Sequence, residues 1–245
     1  MIYDIANLRV FIDNKHEFTT KFCQEYLSGD QLSPVHLTAR ATEEDIEKER
    51  EASQGFSDGY LENICIYRDL CLQLPTLDRF LMHAAILSCD GEGFAFLGRS
   101  GAGKTTHTSL WLKYVNGAKI VNGDKPILSF NGQTFIAYGT PWMGKERRGC
   151  KEQVPLKGLC FIEQAKENKI QKLTPSETAM RLFSQLLLPT DEANAAKTLE
   201  IADKLVQLVP AYVLYCDISE NAVKTSYEAL ANKKYSYKGK KENEN

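Results

Sequence analysis

No Cys-x-x-Cys pair occurs in this chain of 245 residues, and its seven cysteines are scattered. An odd, unpaired set argues against a disulfide framework, a zinc knuckle and a thioredoxin-like motif. Small buried hydrophobes in a reducing compartment are expected instead. Charge of one sign is lacking too. The 30 Lys and Arg against 32 Asp and Glu leave a net −2, so no basic field favours non-specific nucleic-acid binding. No apolar stretch approaches the roughly 20 residues that span a bilayer. The opening residues, Met1-Ile2-Tyr3-Asp4, lack the charged segment and apolar run of a signal peptide. A cytoplasmic protein with no membrane or nucleic-acid partner is expected, and a homo-oligomer is compatible with the composition. Histidine is scarce as well: no two of the four have helical metal-ligand spacing, which leaves a zinc hydrolase unsupported.

What is present reads as a folded protein: 43% hydrophobic residues with 25% charged ones rule out a wholly disordered chain. Residues 1–76 read as a small N-terminal α+β lobe without a catalytic signature. Strands are expected at Leu8–Ile12 and Ile64–Tyr67. A helix is expected after Thr42, which is followed three residues on by Asp45. From Leu77 the pattern changes. Phe80–Leu87 is a near-continuous apolar run, suited to a buried strand or a short buried helix. Strands are expected at Phe94–Leu97, Lys119–Val121, Phe135–Tyr138, Gly158–Ile162 and Ala211–Cys216, with a hairpin at Asn131-Gly132. Helices are expected from Lys104 to Tyr114, from Ser176, from Asp191 to Val209 and from Ser219 to Asn232. The result is an α/β domain over 77–232, with a mixed sheet and a helical C-terminal part. Residues 233–245, rich in Lys, Tyr, Ser, Gly, Glu and Asn, read as a disordered basic tail.

One motif carries the functional reading. Gly98-Arg99-Ser100-Gly101-Ala102-Gly103-Lys104-Thr105 fits G-x-x-x-x-G-K-[ST] at every fixed position. Glycines admit positive φ and leave no Cβ between backbone amides and a phosphate. Those amides open onto a helix N-terminus, where unpaired donors and the dipole favour an anion. Lys104 would reach the β- and γ-phosphates, the Thr105 hydroxyl would ligate magnesium, and Thr106 continues the same turn. By composition the pattern arises by chance in about 1% of chains this long. The apolar strand before it and the helix after it supply the expected context.

Three further segments flank this loop. Asp124 follows a β-like segment in Asn122-Gly123-Asp124-Lys125-Pro126, and could hold a metal, take a proton from a hydroxyl, or be a simple turn aspartate. His83 lies in the apolar run, as a core histidine or a site residue. His107 falls in the first helical turn, with surface, capping and catalytic roles all open. Tyr138–Gly149 combines glycines, Trp142 and the cations Lys145, Arg147 and Arg148. Trp142, Lys145 and Arg147 are candidates to bind a substrate; an anchoring Trp among solvated charges is the alternative.

Together these motifs resemble the nucleotide-binding half of phosphoenolpyruvate carboxykinase. The order His, P-loop, Asp is also similar to the catalytic domain of HPr kinase/phosphorylase. Small bacterial HPr-kinase-like proteins share the helix start Gly103–Thr108, the turn Asn122–Pro126 and the loop Tyr138–Lys145. The resemblance implies a phosphoenolpyruvate carboxykinase/HPr kinase-like P-loop core. It implies a divalent metal (Mg²⁺ or Mn²⁺) held by His83 and Asp124 beside the triphosphate, and Asp124 as the base that deprotonates a hydroxyl. Lys125 stands where both families carry a further acid, and the chain is too short for the carboxykinase oxaloacetate-binding lobe, so decarboxylation is not expected. The expected activity is ATP- or GTP-dependent phosphoryl transfer to a hydroxyl of a protein, peptide or small molecule. Lys104, Asp124 and His83 are its expected catalytic residues. A nucleotide-binding regulatory or maturation protein without turnover is the alternative.

Overall fold

The computed structural model describes residues 1–236. The chain opens with strand β1 (Ile2–Ile5) and strand β2 (Leu8–Asp13), joined by a tight turn in which Ala6 and Asn7 both take positive φ. Helix α1 (Glu17–Phe22) leads on to strand β3 (Leu37–Arg40), which pairs in parallel with β2 to complete a three-stranded sheet. Helix α2 (Glu43–Ala52) starts at the expected capping box: Asp45 N–H donates to the Thr42 hydroxyl while the Asp45 carboxylate accepts from Thr42 N–H.

Helix α3 (Asp58–Gln73) corrects one expectation. Ile64–Tyr67 is helical, not a strand. The local run of bulky residues favoured β. Over the longer window, however, Leu61, Cys65, Ile66 and Leu70 fall at helical spacing, and the Ser57 hydroxyl caps the first turn by accepting from Tyr60 N–H. The buried face of a sixteen-residue helix outweighs a four-residue propensity.

The apolar run Phe80–Leu87 is neither one strand nor a helix. It forms strand β4 (Arg79–Leu81) and strand β5 (Ala85–Cys89), separated by a bend at Met82-His83-Ala84. The bend is held from three sides. Met82 N–H donates to the Pro126 carbonyl, His83 N–H to Gln185 and Ala84 N–H to Asp124. There follow strand β6 (Glu92–Leu97), helix α4 (Lys104–Tyr114), strands β7 (Lys119–Asn122), β8 (Ile127–Phe130) and β9 (Phe135–Tyr138), and the long strand β10 (Gln153–Gln164). The chain ends with strand β11 (Lys169–Lys172), helices α5 (Pro175–Leu182) and α6 (Glu192–Leu208), strand β12 (Ala211–Cys216) and helix α7 (Glu220–Ala231). Helix α5 begins one residue before the expected Ser176 and is capped by Thr174 in a capping box with Glu177.

A nine-stranded mixed sheet runs in the order β4-β8-β9-β10-β6-β5-β7, with β12 paired to β10 and β11 paired to β12 as the remaining two strands. Strand β10 pairs with β9 through its first half and with β12 through its second, so it joins the two wings. On one face Phe80, Ile86, Leu97 and Phe161 pack beneath α6 through Ile201 and Leu205. On the other, Phe94, Phe96 and Cys160 pack beneath α4 and α7 through Trp111, Val223 and Leu230. The N-terminal sheet and α3 share a third core with Leu81, Ile127, Tyr138 and Trp142, which brings residues 1–76 against the main sheet. Of the expected tail, Lys233 is ion-paired with Asp90 and Tyr235 packs on Tyr227, so those residues are held; 237–245 lie outside the described residues. No helix among the described residues is long and apolar enough to cross a membrane.

Gly139 shows how closely two segments pass near the sheet's end. A Cβ there would sit 1.7 Å from the Cys150 carbonyl oxygen and 2.8 Å from that of Val121. Both obstacles are backbone and cannot swing aside. We expect Gly139→Ala to lose at least about 3 kcal/mol in urea unfolding. Gly29→Ala, at an open position, should stay within about 0.5 kcal/mol of the parent.

Candidate functional site

The glycine-rich loop connects the end of β6 to the start of α4. Gly98 (φ 147°), Gly101 (φ 81°) and Gly103 (φ 102°) all use backbone conformations that side chains disfavour. At Gly98 space is also limiting, since a Cβ would lie 3.0 Å from Ala102 Cβ and 3.2 Å from the Ile162 oxygen. Gly103 is the N-cap residue of α4 and offers no side-chain acceptor, so no side chain caps the first-turn amides. Lys104 is largely buried. Its Nζ donates to the carbonyl oxygens of Gly98 at 2.8 Å and Arg99 at 3.4 Å, drawing the loop closed over the side chain. Burial lowers its pKa, and the charge of Asp124 partly opposes that shift. Arg99, Ser100, Thr105 and Thr106 are exposed.

Asp124 is placed by Asn122, a fully buried residue at the end of β7. The Asn122 side-chain oxygen accepts from Asp124 N–H at 3.0 Å and Lys125 N–H at 2.9 Å. Its amide nitrogen donates to Thr140 Oγ1 at 3.0 Å and to the Trp142 carbonyl at 3.3 Å. Gly144 presses on the aspartate from above: a Cβ there would come within 2.9 Å of Asp124 Cβ. His83, set by the bend between β4 and β5, brings Nε2 to 3.1 Å from Asp124 Oδ1. Burial acts to raise the Asp124 pKa. The His83 hydrogen bond and the charges of His83, Lys125 and Lys104 outweigh it, and the net shift is downward. The carboxylate is therefore held ionised.

Two clefts meet at this aspartate. The first, about 580 Å³, is lined by Ser100, Gly101, Gly103, Lys104, Thr105 and Thr106 from the loop, with His83, Gly123, Asp124, Gly144, Lys145, Glu146 and Arg148 opposite. The second, about 790 Å³, is lined by Phe18 and Phe22 of α1, Tyr60, Asn63, Tyr67 and Arg68 of α3, Phe56, Leu81, Lys125, Trp142, Arg147 and Leu187. Asp124, Gly144 and Lys145 belong to both walls. The structure thus gathers His83, Lys104, Thr105 and Asp124 around the first cleft, and Trp142, Lys145 and Arg147 around the second.

Trp142 is anchored instead of free to close over a ligand. It is buried, stacked on Tyr67 with ring centroids 4.1 Å apart and an interplanar angle of 14°. Arg147 lies over the Phe22 ring, 4.4 Å from its centroid. Sequence reasoning assigned no site residue to 1–76, yet α1 and α3 build half of the second cleft. No motif marks them; they are aromatic residues on otherwise ordinary helices. In the sequence Asn122 is simply part of a turn, and its buried four-way bonding emerges only from the fold.

His107 faces away from both clefts. Its Nε2 lies 2.9 Å from Ser226 Oγ and accepts from Trp111 Nε1 at 3.2 Å, and its Nδ1 is buried without a partner among the described residues. Burial pushes its pKa down to about 4, so it is a neutral core group, neither surface cap nor catalyst. All seven cysteines are free and six are buried, as expected.

No protein-family model matches this chain, and no curated protein matches it. Among solved structures it is similar to the Hpr(Ser) kinase/phosphatase from Coxiella burnetii at 11% sequence identity. That match covers 62% of this chain and 93% of the other, with a TM-score of 0.33.

The His107 environment has a consequence for acid stability. The ring's pKa is 6.5 when unfolded and about 4 in the fold. Below pH 6.5 the unfolded chain therefore binds a proton that the folded protein refuses, and stability falls as pH falls toward 4. The difference amounts to about 2 kcal/mol between pH 7 and pH 5. In urea titrations without added metal, His107→Gln should lose about that much of the parent's pH dependence. An unchanged slope would refute the assignment.

Proposed function

We propose that this chain binds a nucleoside triphosphate, ATP or GTP, together with Mg²⁺ or Mn²⁺, and transfers its γ-phosphoryl group to a hydroxyl acceptor. The supporting observation is the position of Asp124, which lines the glycine-loop cleft and the aromatic cleft at once. A polyphosphate in the first and a hydroxyl in the second would meet at that side chain. A nucleotide sensor without turnover uses the same loop but has no need of a carboxylate facing a second cleft.

The residues present fit a cation that arrives with the triphosphate. Among the described residues no group of three His, Cys, Asp or Glu converges, so the protein alone would not hold a metal. Magnesium is commonly bound by one or two carboxylates plus phosphate oxygens and water. Thr105 and Asp124 would hold it here, with His83 fixing the Asp124 carboxylate, and it would supply charge neutralisation on the phosphates.

The chain's own groups account for the rest. Backbone amides from Gly98 to Thr106 and the α4 N-terminus cradle the phosphates. Lys104 leaves the Gly98 carbonyl for the β- and γ-phosphate oxygens, and its charge offsets the negative charge that grows on the leaving oxygen. His83 holds Asp124 Oδ1, and Oδ2 accepts the hydroxyl proton. As that proton leaves, the acceptor oxygen bonds to the γ-phosphorus and the bond to the bridging oxygen breaks, releasing nucleoside diphosphate. Positioning and electrostatics supply most of the rate in such transfers.

In single-turnover assays with γ-labelled ATP, metal and cell extract, label should pass to an acceptor. Lys104→Ala should lower that turnover at least ~100-fold. Asp124→Asn should lower it by a similar ~100-fold while the far-ultraviolet spectrum stays native. Absence of nucleoside triphosphate binding in calorimetry, with magnesium or manganese present, would sink the proposal.

A further inference from the structure

Building on that phosphoryl-transfer reading, we infer that the aromatic cleft is the acceptor site. Its occupant is a small hydroxyl compound with an apolar or aromatic body and a carboxylate. Its volume of about 790 Å³ lies in the range of small-molecule sites. The body of such a compound matches the wall made by Phe18, Phe22, Tyr60, Tyr67 and Trp142. These rings are already packed on one another: Tyr67 on Trp142, and Phe18 on Phe22 at 5.8 Å between centroids. The wall is therefore formed in advance, and a ligand need not pay to order it.

Charge sets the second requirement. Among the described residues Asp124 is the one acid on this cleft wall, against Arg68, Lys125, Lys145 and Arg147. Arg68 is paired with Glu49 at 2.6 Å. Lys125 and Lys145 are exposed and make no ion pair among the described residues, so they are available to an incoming carboxylate. With Asp124 holding the hydroxyl, these cations favour an anionic compound over a neutral or cationic one.

Unmet hydrogen bonds set the third. Asn63 is 2% exposed and Trp142 is 6% exposed, and both line this cleft. Asn63 Oδ1 and Trp142 Nε1 are buried without a partner among the described residues. An unmet buried polar atom costs about 1–3 kcal/mol, so a ligand carboxylate that accepts from Trp142 Nε1 recovers that cost at the tryptophan. A bare hydrocarbon does not.

Tryptophan fluorescence tests the site without relying on turnover. The probe is 3-phenyllactate, compared with 2-phenylethanol, which lacks the carboxylate, and lactate, which lacks the ring. Phenyllactate should change the wild-type signal, and Trp142→Phe should abolish the change. With magnesium and γ-labelled ATP, phenyllactate should accept label at least about ten-fold faster than either comparison compound. Equal transfer to phenylethanol would overturn the anionic requirement, and label on serine-containing peptides alone would overturn the small-molecule class. Calorimetry of ATP separates the two levels. If triphosphate binds and phenyllactate does not, the acceptor assignment fails by itself. If triphosphate does not bind, the phosphoryl-transfer reading fails, and the cleft is judged by fluorescence alone.

Discussion

The site depends on one buried amide. Asn122 has no contact with solvent, and its two polar atoms bind four backbone or side-chain groups on two separate segments. Through its oxygen it turns the chain so that Asp124 points out of the sheet's end. Through its nitrogen it ties that turn to Thr140 and Trp142. The bend at His83, whose Ala84 N–H donates to the Asp124 carbonyl, and the Trp142 wall of the aromatic cleft are therefore registered against one another by a single fully satisfied polar group. Losing it would leave several buried partners unpaired, which is why such networks impose a unique arrangement at functional sites.

Electrostatics at Asp124 follow from that placement. Burial opposes the charge, while His83 at 3.1 Å and the Lys104 and Lys125 cations favour it, and the cations prevail. The same proximity works on Lys104, where burial lowers the pKa and Asp124 raises it. Each charge thus helps to keep the other in place within a partly desolvated cleft. In the low dielectric of such a site, charges aimed at a phosphate act more strongly than on an open surface.

Local chemistry made much of the fold readable. The Thr42 capping box, the Asn131-Gly132 hairpin and the strand–loop–helix around Gly98–Lys104 rely on neighbours within a few residues, and each forms as the pattern indicates. Reading failed where the deciding partner was distant. Ile64–Tyr67 has strand composition, but the helix is selected by burial against the N-terminal sheet and α2. The bend in Phe80–Leu87 exists because Asp124 and Gln185 accept its amides from far along the chain. His107 sits in a motif turn, yet its neutrality comes from burial between α4 and α7, beside Trp111 and Ser226.

Spacing alone determined the glycine loop, because its demands (positive φ, free amides and a lysine at the helix start) are all met within eight consecutive residues. The second cleft was decided only by tertiary packing, since Phe22, Asn63, Tyr67, Asp124 and Trp142 come from distant segments with no shared pattern. Backbone constraints of short range leave a signature in the order of residues. A cavity between packed elements leaves none, because it depends on which faces the whole chain turns toward one another.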